Sequence, residues 1–76
     1  MSRIAVLGAG AWGTALAQCY AAAGHDVTLW ARHDDLAQKI KTEGCNSDYL
    51  PSIELHPNLD VTSDITDCLA ADIILN

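Results

Sequence analysis

Positive charge is what this sequence has least of. Only Arg3, Arg32, Lys39 and Lys41 are Lys or Arg, four residues against ten Asp and Glu, for a formal charge of −6. They gather in no patch, and nucleic acid and anionic membranes both demand clustered cations, so neither is an expected partner. Cysteine is equally thin. Cys19, Cys45 and Cys68 are odd in number, with no CxxC spacing and no histidine close enough to complete a zinc set, so no metal site is expected. They read as reduced thiols of a cytoplasmic protein, with Cys19 and Cys68 expected on buried helix faces, where a free thiol behaves as a small hydrophobe. No segment is long and apolar enough to span a bilayer. The N-terminus does imitate a secretory leader, with Arg3 before an apolar stretch from Ile4 to Ala17 and Ala21-Ala22-Ala23 as a cleavage site. Three regularly placed glycines and a threonine interrupt that stretch, and the same residues read more simply as strand, turn and helix.

What is present suits a packed α/β unit. The 76 residues make at most one small domain, half of them hydrophobic, and a chain this short buries only about 60% of its unfolded surface. Arg3 to Leu7 is an apolar run ending at a glycine cluster, as a buried parallel strand would. Trp12 to Ala23 is alanine-rich, with Leu16, Cys19, Tyr20 and Ala23 at helical spacing and Gly24 as the stop. Asp26 to Trp30 reads as a second strand. Asp34 or Asp35 can cap a second helix, with Leu36, Ala37 and Ile40 facing inward and Gly44 ending it. Cys45 to Asn58 holds both prolines and reads as a long loop. Leu59 to Thr62 is a candidate third strand, Ser63 or Asp64 caps a brief helix carrying Ile65, Cys68 and Leu69, and "ADIILN" closes as a strand. Strands alternating with helices predict a Rossmann-type parallel sheet with flanking helices and right-handed crossovers. The chain is expected to be the N-terminal portion of a larger nucleotide-binding domain, because the last apolar strand has nothing after it to cover its edge. That edge predicts self-association.

Gly8, Gly10 and Gly13 form GxGxxG between the first strand and the first helix. The pattern is weak alone and gains from that context. Gly8 permits a tight turn, Gly10 lets the main chain approach a pyrophosphate, and Gly13 lets the helix lie close to the strand. The competing reading is a tight turn that binds nothing. A helix dipole contributes only about 0.3–1 kcal/mol to holding an anion, whereas each hydrogen bond to a charged oxygen is worth roughly 1.5–3 kcal/mol. The free backbone amides of Ala11 and Trp12 are therefore the expected phosphate donors.

The end of the second strand selects the cofactor. An NAD site places Asp or Glu there, about 20 residues beyond the glycines, to hold the ribose hydroxyls. This chain has Arg32-His33, with Arg32 nineteen positions after Gly13. A guanidinium suits a 2′-phosphate, which favours NADP, while the adjacent Asp34 leaves NAD open. The alternatives are a solvated surface cation for Arg32 and a plain helix-start residue for His33. His25 and His56 read as exposed and structural.

Taken together, "VLGAGAWGTALA" from Val6, "GHDVTLWAR" from Gly24, "CNSDYLP" from Cys45 and, more weakly, "PNLDVTSD" from Pro57 carry a resemblance to a known family. The chain resembles the N-terminal domain of NAD(P)-dependent glycerol-3-phosphate dehydrogenases over almost its whole length. The resemblance implies NADPH- or NADH-linked reduction of dihydroxyacetone phosphate to sn-glycerol 3-phosphate for phospholipid synthesis. It implies cofactor contacts from Ala11 and Trp12, from Arg32 and His33 near the adenosine 2′-position, and from Tyr49 in the long loop. Ala11 stands where the family often has serine, which removes a hydroxyl and keeps the amide. The family's proton-donating lysine and substrate-phosphate groups fall beyond Asn76, so no catalytic residue is assigned here, and Lys39 and Lys41 read as solvated charges. Another small-substrate Rossmann reductase and a non-catalytic nucleotide sensor are the rival readings.

Overall fold

The computed structural model describes residues 2–46 and 54–75. Four strands, β1 (Arg3–Leu7), β2 (Asp26–Trp30), β3 (Leu59–Thr62) and β4 (Ile73–Leu75), form one sheet in the order β3-β2-β1-β4. All pairings are parallel, with Ile4 opposite Val27 and Ile73, and Leu29 opposite Val6 and Val61. This register puts Ile4, Val6, Val27, Leu29, Leu59 and Val61 on one face, all buried. Two helices, α1 (Ala11–Ala22) and α2 (Asp34–Glu43), connect β1 to β2 and β2 towards β3. Ala17, Ala21, Ala37 and Ile40 close the core against that face. After β3 the chain returns through a short 3-10 turn, Ile65–Cys68, to place β4 beyond β1. The sheet order therefore reverses beside β1, and in open α/β sheets ligands bind at the carboxyl ends of strands at such a reversal.

The helix ends follow from glycine. Gly24 adopts φ +99° and donates its N–H to Ala21 O at 3.0 Å, while His25 N–H reaches Tyr20 O at 3.2 Å, the paired bonds of a Schellman stop. Gly44, at φ +72°, ends α2 with a bond from its N–H to Ile40 O at 2.9 Å.

Several expectations need correction. The buried stripe of α1 is Thr14, Ala17 and Ala21, and Cys19 is exposed. An alanine-rich helix is apolar on all sides, so its sequence period does not say which side faces in. Close packing on the sheet selects the small residues and leaves Tyr20 to pack at the margin of the core. Cys68 is buried as expected, and desolvation, helped by the Asp67 and Asp64 carboxylates, pushes its thiol up from the ordinary value. The segment after β3 is a 3-10 turn whose Ile65 and Leu69 are exposed. His33 is the residue that caps α2, with Asp34 and Asp35 in its first turn. His25 and His56 are half-buried and structural, since their Nδ1 atoms accept from the N–H groups of Ser2 and Asn58, each at 3.2 Å.

Candidate cofactor-binding site

Three chain turns meet at the carboxyl edge of the sheet. Leu7 pairs with Trp30, Gly8 N–H donates to Trp30 O at 3.0 Å, and Ala31 N–H donates to Thr62 O at 2.7 Å. The glycine turn after β1 is thus stitched directly to the turn carrying Ala31, Arg32 and His33. Gly8 leaves β1 at φ +119°, where side chains are rarely accommodated. A Cβ on Gly13 would collide with the carbonyl oxygen of Gly8, so only glycine lets α1 approach this closely. Gly10 has an ordinary φ of −74°, and a Cβ there would meet nothing within 4 Å. Its role is space: the turn is open where a side chain would otherwise stand.

The first intrahelical bond of α1 runs from Thr14 N–H to Gly10 O at 2.9 Å. The N–H groups of Ala11, Trp12 and Gly13 precede it and lie outside the helical ladder. No side chain caps this end and its first turn holds no acidic residue. Ala11 and Trp12 are exposed, Trp12 at 80% of its surface. An anion placed over Gly10 meets donors outside the helical ladder at the positive end of the helix dipole, with no acidic residue in the first turn to oppose it. A dinucleotide pyrophosphate fits that description.

Arg32 and His33 are both exposed one strand away, and Arg32 forms no hydrogen bond or ion pair with other described residues. Asp34 follows, its Oδ1 accepting from Ser63 Oγ at 2.9 Å, which ties the start of α2 to the end of β3. Trp30 is anchored similarly, its Nε1 donating to Ser63 O at 3.0 Å. Tyr49 lies outside the described residues. A concavity of about 440 Å3 lies elsewhere, and Asp26, Asp60 and Asp67 contribute to its lining beside Arg3 and Thr28. Three carboxylates make it a poor receptor for a phosphorylated ligand.

Comparison with known proteins gives the family. The model of the NAD-dependent glycerol-3-phosphate dehydrogenase N-terminus matches residues 3–76. The chain belongs to this family. Curated glycerol-3-phosphate dehydrogenases (NAD(P)+) of Parvibaculum lavamentivorans and Corynebacterium aurimucosum are 52% and 46% identical, over 96% and 99% of the chain. The chain spans only 22% and 23% of those two proteins. Among solved structures, the glycerol-3-phosphate dehydrogenase of Coxiella burnetii superimposes with a TM-score of 0.88 at 39% identity, covering 96% of this chain and 23% of that one. The Plasmodium falciparum enzyme, 24% identical, shares the fold at a TM-score of 0.79 over 96% of this chain and 23% of its own.

Asn46, which the sequence offers only as a residue of the long loop and of the "CNSDYLP" stretch, was not among the expected site residues. Its side chain is fully buried, and Nδ2 donates to Ala9 O at 2.7 Å and to Thr14 Oγ1 at 2.8 Å. Further along α1, Gln18 fixes the returning chain, with Nε2 donating to Glu54 O at 3.1 Å and Oε1 accepting from His56 N–H at 2.8 Å. No local pattern announces contacts that span 32 to 38 residues. The available signal was a polar residue two positions after the glycine that ends α2.

Proposed function

We propose that this chain forms the pyrophosphate- and adenosine-binding part of an NAD(P)-dependent glycerol-3-phosphate dehydrogenase that reduces dihydroxyacetone phosphate to sn-glycerol 3-phosphate. The observation that carries the reading is the uncapped, acid-free start of α1, open above Gly10 and stitched to the turn bearing Arg32. The amides of Ala11 and Trp12 bind the pyrophosphate oxygens. Arg32, with His33 beside it, binds the adenosine 2′-phosphate, and the bidentate charge-assisted bonds a guanidinium offers a phosphate favour NADPH over NADH. Tyr49 is carried forward as a third cofactor contact. When bound, the nicotinamide supplies the hydride.

No residue of this chain is assigned to proton donation or to the substrate phosphate. Those groups belong to the rest of a longer protein, comprising the remaining sheet and a helical substrate domain. The product feeds glycerophospholipid synthesis, and the enzyme works in the cytoplasm. Ile73 and Ile74 on β4 are half-exposed at the sheet edge, which invites pairing with a further strand or a second copy. Sedimentation of the isolated chain tests that, and a clean monomer at high concentration would count against it.

The deciding experiment titrates NADPH and NADH against a protein of the relatives' full length, wild type and Arg32→Ala. Tighter NADPH binding, reduced by the substitution to the NADH level, is expected, together with dihydroxyacetone phosphate-dependent NADPH oxidation. The isolated 76-residue chain is expected to bind weakly and turn over nothing. Absence of nucleotide binding at full length would overturn the assignment.

A further inference from the structure

We propose that Asn46 is a positioning residue whose side-chain amide holds the glycine turn in its anion-receiving shape, an inference that rests on the cofactor reading above. A peptide unit is planar and trans, so its C=O and N–H point in opposite directions. The bond from Asn46 Nδ2 to Ala9 O therefore fixes the plane between Ala9 and Gly10 and turns Gly10 N–H away from the buried amide. The bond to Thr14 Oγ1 fixes the other side of the turn, at the residue whose N–H opens the helical ladder. One side chain thus brackets residues 10–13, the segment containing every amide assigned to the pyrophosphate. Two glycines in that segment would otherwise wander over many backbone states, and a disordered turn must be ordered at the expense of binding.

The chemistry of the side chain supports this over simple space filling. Asn46 is 0% exposed, and its Oδ1 has no hydrogen-bond partner among the described residues. An apolar residue of the same size would fill the volume without stranding a buried oxygen. The donor end is what the turn requires, because Ala9 O accepts and an aliphatic side chain offers nothing to it. Asn46 touches no cofactor atom in this scheme and acts through the amides it orients.

The test separates pyrophosphate from adenosine recognition in the full-length protein. NADPH carries both groups, whereas 2′-AMP carries the 2′-phosphate and lacks the pyrophosphate. Asn46→Leu is expected to weaken NADPH binding about tenfold or more, the loss of two buried hydrogen bonds. Its affinity for 2′-AMP should stay within about twofold, since the Asn46 side chain bonds Ala9 and Thr14 and not Arg32. Asn46→Asp, which keeps the shape but sets a carboxylate against Ala9 O, is expected to show the same split and serves if the leucine variant does not fold. Unchanged NADPH affinity in either variant would overturn the proposal, as would parallel loss of both ligands, the mark of general collapse. A wild-type protein that binds neither ligand would instead sink the cofactor reading itself.

Discussion

The two helices start at the same edge of the same sheet, one strand apart, and their first turns are built in opposite ways. Neither has a side-chain cap bond, but α1 begins with Gly10-Ala11-Trp12-Gly13, without an acidic residue. α2 begins after His33 with Asp34 and Asp35, so two carboxylates sit on its positive end. Each helix presents unsatisfied amides and a dipole, but only one is left for an outside anion to complete. A protein with ten carboxylates has the means to neutralise both ends, and it neutralises one. Anion binding here is therefore as much a matter of where acid is withheld as of where glycine is placed.

The contrast is broken most severely at Gly13. Gly13→Ala drives a methyl group into Gly8 O, and because the obstacle is backbone, the helix or the strand end must move. A stability loss of about 1–3 kcal/mol or more is expected from such overpacking, read as a lower urea midpoint, with nucleotide binding lost alongside. The same change at Gly10, where a Cβ meets nothing, should leave the urea midpoint near wild type and weaken NADPH alone. Equal destabilisation at the two positions would show that the close approach of α1 is not what Gly13 provides.

A sharper test gives α1 the start that α2 has. Ala11→Asp places a carboxylate on the open end, where its interaction with the dipole should stabilise the fold by about 0.3–1 kcal/mol. The same charge repels the pyrophosphate, so NADPH affinity should fall about tenfold or more. Stability and binding then move in opposite directions from one substitution, and a simultaneous loss of both would refute the picture of an end held ready for an anion. Arg32→Ala is milder. It should cost NADPH about tenfold, the scale of one charge-assisted contact, and leave NADH nearly unchanged, with the difference shrinking as salt is raised.

Most of this contrast was legible in residue order. The alternation of apolar runs with helical stretches specified the parallel sheet, and Gly24 and Gly44 marked the helix ends because left-handed geometry admits little else. Gly8, Gly10 and Gly13 named the turn before any coordinates did. What stayed hidden depended on partners remote in sequence. Cys19 was assigned to the core because alanine on every side of α1 erases the periodic signal, and only the packing of Thr14, Ala17 and Ala21 on the sheet fixes the rotation. Asn46 was passed over because its amide works on Ala9, 37 residues back. Asp34 or Asp35 reads as the cap of α2, yet both lie in its first turn, and the Asp34 carboxylate turns to Ser63, 29 residues on.

The 3-10 turn adds a third way to start, and the smallest expected effect. Here Asp64 caps with its own side chain, accepting from Thr66 N–H at 3.0 Å and Thr66 Oγ1 at 2.6 Å. Those two bonds hold the Asp64 carboxyl below its ordinary 3.8. A carboxyl lowered on folding stabilises the native state fully above the ordinary value, and that stabilisation fades as pH falls through the lowered one. Asp64→Ala should therefore reduce the urea midpoint slightly at pH 7, and the gap from wild type should close as pH is taken below 3.8. Nucleotide affinity should not change, because this end is satisfied internally and offers nothing to an anion. A gap that persists unchanged into acid would mean that Asp64 acts through packing and not through its charge.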